Sequence, residues 1–265
     1  YFPEYGVFLE RTGAKLVEVQ SEEKTFQIDM KNFEQAITEK TKAVIINSPN
    51  NPSGVVYTVD TIEKMCSLLK KKEEEYGHPI FLITDEPYRE LVYDDTEVPY
   101  IINYYDNTFV CYSYSKALSL PGVRIGYIVV SPKMVDEQDA YAAVCGAGRA
   151  LGYVCAPSML QRVIEKCIDD TADISIYKKN RDLLYNALTE MGYECVYPDG
   201  AFYLFVKAMC DDSHKFCEKA KEHELLLVPA DSFGTPGYVR VSYCVQTKQI
   251  EDALPAFKAL ADSYK

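Results

Sequence analysis

The sequence predicts an α/β protein, with a mainly parallel sheet flanked by helices and then a smaller α+β unit. Three observations carry that expectation. Short apolar, β-branched runs alternate with amphipathic helical segments over the first part of the chain. The distinctive polar residues fall just after those runs, where the strands of a parallel sheet share one ligand-binding edge. From about residue 155 the alternation gives way to a long helical stretch and a second group of strands.

In chain order, strands are expected at 16–20, 43–47, 80–84, 108–112 and 124–130, each apolar and of strand length. A helix fits 60–76. Ile62, Met65, Cys66 and Leu69 fall at helical spacing, and Asp60 can cap it with Glu63 three residues on. A helical stretch over 157–191 carries Leu160, Val163, Ile164 and Cys167, then Ile176, Leu183, Leu184 and Leu188. Strands follow at 193–197, 201–206, 225–228 and 238–245. A last helix covers 248–261, where Pro255 is expected to start or kink it. The change in character divides the chain into a large unit, 1–175, and a small one, 176–265.

Composition narrows the function classes. A net charge of −12 repels phosphate backbones, which argues against nucleic acid as a partner. No apolar run approaches the roughly 18 residues of a membrane span. The opening Tyr1-Phe2-Pro3-Glu4-Tyr5 has neither the basic stretch nor the apolar core of a signal peptide. Nine cysteines, an odd number with no CxxC pair, read as reduced thiols and a cytoplasmic location. His78, His214 and His223 lie far apart, so no metal site and no Ser-His-Asp triad is expected.

Chemistry concentrates at the expected strand ends. Asn51 follows the strand at 43–47, Asp85 follows 80–84, and Ser113, Ser115 and Lys116 follow 108–112. The segment from Tyr112 to Gly126 is the most informative. It gathers two small hydroxyls and two cations, Lys116 and Arg124, around a Pro-Gly turn. Hydroxyls with an arginine fork suit a phosphate group. A lysine beside them can form a Schiff base once its neutral form is favoured. Arg240 lies mid-strand between Val239 and Val241, where an unpaired charge would be costly. The stretch Gly146-Ala-Gly-Arg-Ala-Leu-Gly152 is not read as a dinucleotide fingerprint, because its spacing is GxGxxxG and no strand feeds into it.

The pattern Ser113-x-Ser-Lys116-x-x-x-x-Pro-Gly-x-Arg124-x-Gly126 resembles the lysine motif of class I/II aminotransferases of pyridoxal-phosphate (PLP) fold type I. Asn50-Asn-Pro-Ser-Gly54, Asp85-x-x-Tyr88, Gly200-Ala-Phe-Tyr203 and Val239-Arg-Val-Ser242 resemble further motifs of that family, in its order. The resemblance, which covers essentially the whole chain, implies a PLP-transferase type I large domain and a set of roles. Lys116 would hold PLP as a Schiff base and act as base and acid in the proton shift. Asp85 would pair with the pyridine nitrogen, and Asn51 and Tyr88 with the phenolic oxygen. Ser113, Ser115 and Arg124 would bind the phosphate, and Arg240 the substrate α-carboxylate.

It further implies transfer of an amino group from an amino acid, aspartate or a broader range, to a 2-oxo acid, by a homodimer. Arg149 resembles in placement an arginine that reads a distal carboxylate across the dimer. Tyr1 or Phe2 falls where the family stacks an aromatic on the cofactor ring. An N-terminal arm and first helices of the large domain would precede residue 1. Three other readings share these residues: a PLP-dependent C–S lyase, a decarboxylase, and a non-catalytic aminotransferase-like sensor.

Overall fold

The computed structural model describes all 265 residues. Helices α1 (Glu4–Glu10) and α2 (Met30–Ala36) precede a four-stranded sheet. Its strands are β1 (Ala43–Asn47), β2 (Phe81–Asp85), β3 (Thr108–Ser113) and β4 (Gly126–Val130), in that spatial order. The first three are parallel and β4 is antiparallel, so the expected mainly parallel sheet is present. The register sets Asn47 beside Asp85, and Asp85 beside Cys111, so the carboxyl ends lie level on one edge. At Gly126 the strands come so close that a Cβ would meet the Tyr112 carbonyl oxygen at 2.2 Å, and only glycine fits.

Helix α3 (Val59–Tyr76) covers one face of the sheet with Ile62, Met65, Cys66 and Leu69 buried. They pack with Phe33, Ile46, Ile80 and Leu82 in one core. Each such large side chain contributes roughly 1.5–3 kcal/mol relative to exposure. Thr58, not Asp60, caps this helix: its hydroxyl accepts the Thr61 N–H at 3.2 Å. Asp60 sits in the first turn and pairs with Lys64 at 2.6 Å. Residues 16–20 form no strand, although Val17 and Val19 alternate as one would; no neighbouring strand pairs with them. Alternation expresses a preference, and a ladder needs a second strand.

After α4 (Tyr114–Ala117) and α5 (Glu137–Ala150), the expected long helix is two, α6 (Ser158–Cys167) and α7 (Ile174–Glu190). Asp173 begins α7 afresh by accepting the Ser175 N–H at 3.0 Å. A second sheet follows, antiparallel throughout, with strand order β5 (Cys195–Val196), β6 (Tyr203–Lys207), β8 (Tyr238–Ser242) and β7 (Val228–Pro229). Helix α8 (Ser213–Lys221) packs against it, and α9 (Thr247–Asp262) packs on α7 and α8 in the same core. Pro255 lies inside α9 and does not start it. The core of this half also takes in Tyr88, Leu91, Tyr93 and Ala117 from the first half, which holds the edge of the parallel sheet against the second sheet.

Candidate active site

Lys116 sits one turn beyond β3, in α4. Its half-buried ammonium lies 5.3 Å from the Phe202 ring and 5.8 Å from the Tyr88 ring, with no ion pair and no hydrogen bond. Burial lowers its pKa from the ordinary lysine value, and the nearby Arg240 and Arg124 push the same way; Cys244 opposes them. A lysine so placed holds more of its amine neutral than a solvated one.

Asp85 ends β2. Its carboxylate accepts the Tyr5 hydroxyl at 2.5 Å. Burial raises its pKa and the neighbouring Glu86 adds to that, while the Tyr5 hydrogen bond opposes. Glu86 is spent elsewhere: it accepts from Thr84 at 2.9 Å and pairs with Arg89 at 2.6 Å. Asp85 is therefore a half-buried acid with no cation of its own.

Asn47, at the end of β1, donates to the Asp85 carbonyl at 2.8 Å and accepts the Asn51 N–H at 2.7 Å. Asn51 in turn accepts from the Arg240 guanidinium at 2.8 Å. Arg240 comes from β8 and lies between the rings of Tyr203 at 4.4 Å and Phe233 at 4.8 Å. The Tyr88 hydroxyl stands 3.1 Å from that of Tyr203. Gly54, with φ +75°, lets the loop carrying Asn51 close on the second unit; a Cβ there would fall 2.5 Å from the Cβ of Pro198. Contacts thus run unbroken from Tyr5 through Asp85, Asn47, Asn51, Arg240, Tyr203 and Tyr88 to Lys116.

Ser113 and Ser115 share a 2.7 Å hydrogen bond between hydroxyls. Arg124 is exposed and bonded only to the Pro121 carbonyl, at 3.0 Å. Its backbone holds φ +54°, a left-handed conformation that costs an L residue roughly 1–2 kcal/mol. Arg149, at the end of α5, is exposed and forms no ion pair.

Arg240 and Arg124 therefore stand near Lys116 without a carboxylate. Arg181 shows the alternative within the same molecule: fully buried, it pairs with Asp94 at 2.5 Å and Asp182 at 2.7 Å. Sequence reasoning passed over Tyr5, Asn47 and the role of Tyr203. Asn47 was signalled only by its place at a strand end, and Tyr203 by its motif.

The profile described as "Aminotransferase class I and II" matches residues 1–257. An aspartate aminotransferase of Thermotoga maritima is 33% identical over 246 residues, covering 91% of this chain and 61% of its own length. One of Pyrococcus abyssi is 30% identical, covering 96% of this chain and 66% of its own length. Among solved structures, an aminotransferase of Eubacterium rectale superposes with TM-score 0.98 at 59% identity, over 100% of this chain and 67% of that one. The Thermotoga maritima aspartate aminotransferase superposes with TM-score 0.85 at 30% identity, over 98% of this chain and 68% of that one. The chain thus spans about three fifths of the Thermotoga relative's length. With five ordered motifs, this fold and these likenesses, the chain belongs to the aminotransferase class I and II family.

Proposed function

We propose that the protein carrying this chain transfers an amino group from an amino acid to a 2-oxo acid with pyridoxal 5′-phosphate. The observation that carries the reading is Lys116: a half-buried amine with no acidic partner, its pKa lowered, beside the edge-to-face pair of Tyr88 and Phe202. The residues fit the cofactor. Asp85 is a half-buried acid lacking a cation, which suits a pyridine nitrogen. Ser113, Ser115 and Arg124 offer donors with no anion of their own, which suits a phosphate. Asn51 and Tyr88 would hold the phenolic oxygen. Arg240 keeps guanidinium donors free for an α-carboxylate.

When bound, the cofactor supplies an electrophilic carbonyl and an electron-withdrawing ring. The chain supplies the rest. The neutral Lys116 amine would hold the cofactor and would carry the proton that leaves and returns to the substrate α-carbon. The Asp85 carboxylate would hold the ring nitrogen protonated. Arg240 grips the carboxylate as a planar fork, and Phe202 keeps water from the amine.

The reading extends to the whole molecule. Residues 1–175 form the cofactor-binding domain and 176–265 the small domain. The nine unpaired cysteines suit a reducing cytoplasm. The protein works as a homodimer, in which Arg149 reads a distal carboxylate. A half-reaction tests the reading. One equivalent of amino acid should bleach the visible cofactor band and release the matching 2-oxo acid. Release of pyruvate with ammonia would make it a lyase, and release of carbon dioxide a decarboxylase.

A further inference from the structure

Tyr203 belongs to a motif that the proposed reaction leaves without a task. It opens β6, paired with Ser242 of β8, and Arg240 is its diagonal neighbour on that strand. Its ring, 7% exposed, forms one wall of the slot that holds the Arg240 guanidinium, with Phe233 the other. A cation between two rings keeps its plane without a carboxylate to hold it. Its backbone is also held, since the loop closes on it at Gly54, where a Cβ would meet the Tyr203 carbonyl at 3.0 Å.

The side chain has a second partner, at its hydroxyl. That hydroxyl stands 3.1 Å from the hydroxyl of Tyr88, and neither phenol bonds to anything else. Burial raises the pKa of both, so both keep their protons at neutral pH. Two buried hydroxyls with two protons make one hydrogen bond between them and leave one proton free. Tyr88 is the phenol whose ring meets Lys116, so an acceptor on the cofactor meets Tyr88 first. Tyr203 then donates to Tyr88, and Tyr88 donates onward. A donor that itself accepts a hydrogen bond is the stronger for it.

We propose that Tyr203 is a positioning residue with two separable tasks: its ring holds Arg240 for the substrate carboxylate, and its hydroxyl turns the Tyr88 proton toward the cofactor's phenolic oxygen. This rests on the cofactor reading above. One side chain thereby couples recognition of the carboxylate to the proton affinity of the nitrogen that Lys116 contributes. A hydrogen bond donated to the phenolic oxygen drains its charge and weakens its pull on that nitrogen's proton.

The test uses the complete protein that carries this chain, with Tyr203→Phe and Tyr203→Leu. Succinate is titrated into cofactor-free protein by calorimetry. Separately, the visible cofactor absorbance is followed against pH without substrate. Tyr203→Phe keeps the ring, so succinate affinity should stay within about twofold of the parent. It loses the hydroxyl, so the absorbance midpoint should rise by about 0.5 pH unit, a threefold change in proton affinity. Tyr203→Leu should show the same rise and also lose about fivefold in succinate affinity.

A Tyr203→Phe protein with an unmoved midpoint, or a Tyr203→Leu protein with parental succinate affinity, overturns the proposal. So does loss of succinate binding in Tyr203→Phe, since a missing hydroxyl should not unseat Arg240. A parent protein without a cofactor band contradicts the proposed reaction instead; the succinate arm needs no cofactor and still judges the ring's task.

Discussion

Asp85 carries an electrostatic cost that its function explains. Burial holds its carboxyl above the usual carboxylate range, against the help of Tyr5. Below the unfolded value of about 3.9 the group is protonated in both states and costs nothing. As pH rises through the window between the unfolded and the raised folded value, the unfolded chain ionises more readily and the fold loses stability. Asp85→Asn removes that penalty while still accepting from Tyr5. The cofactor-free variant should melt higher than the parent at pH 7, and the difference should vanish below about pH 4. Its hold on the cofactor should weaken. A lower melting point at pH 7 contradicts this. Arg240 gives the complementary prediction. Arg240→Lys keeps the charge but loses the planar fork, so KM for the amino acid should rise about tenfold, or 1.4 kcal/mol. An unchanged KM would remove Arg240 from carboxylate binding.

The elements divide by what made them legible. β1, β2 and α3 were readable because their apolar residues repeat at strand or helix period and meet a core built from the same half; β3 was readable as an apolar run of strand length. Their carboxyl ends put Asn51, Asp85 and Lys116 on one edge for the same reason. The strand expected at 16–20 failed because its pattern was right and its partner was missing. The break between α6 and α7 was hidden because apolar spacing continues on either side of a cap at Asp173. Contacts across elements could not be read at all. Nothing in a linear sequence joins Tyr5 to Asp85 or Tyr88 to Tyr203, 80 and 115 residues apart. Asn180 is a further case. Fully buried in α7, it donates to the Tyr243 and Val245 carbonyls at 3.0 and 2.8 Å and accepts from Thr247 at 2.7 Å. It ties α7 to the segment that follows the strand of Arg240 and to the start of α9. Asn180→Ala strands those carbonyls and should cost about 2–3 kcal/mol in denaturant unfolding. A loss under about 0.5 kcal/mol would show the tie to be incidental.

The chain, about three fifths of its Thermotoga relative's length, exposes much surface. Its surface is 14,769 Å², where a compact 30.1 kDa monomer exposes roughly 11,700 Å². The excess is apolar in places: Leu151, Tyr153, Val154 and Met159, from the end of α5 into α6, are each more than 60% exposed. A patch of this kind marks an interface. A second copy is the occupant we propose, which would also bring Arg149 to the neighbouring site. Replacing Leu151 and Tyr153 together with Asp should shift sedimentation of the complete protein from dimer to monomer. A dimer that persists would place the interface elsewhere.

The account depends most on one amine. Incubating the complete protein with pyridoxal 5′-phosphate, reducing with borohydride and mapping the added mass by peptide sequencing tests it directly. The mass should fall on Lys116 alone, and Lys116→Ala should take up none. Modification at another lysine, with Lys116 untouched, would contradict the account.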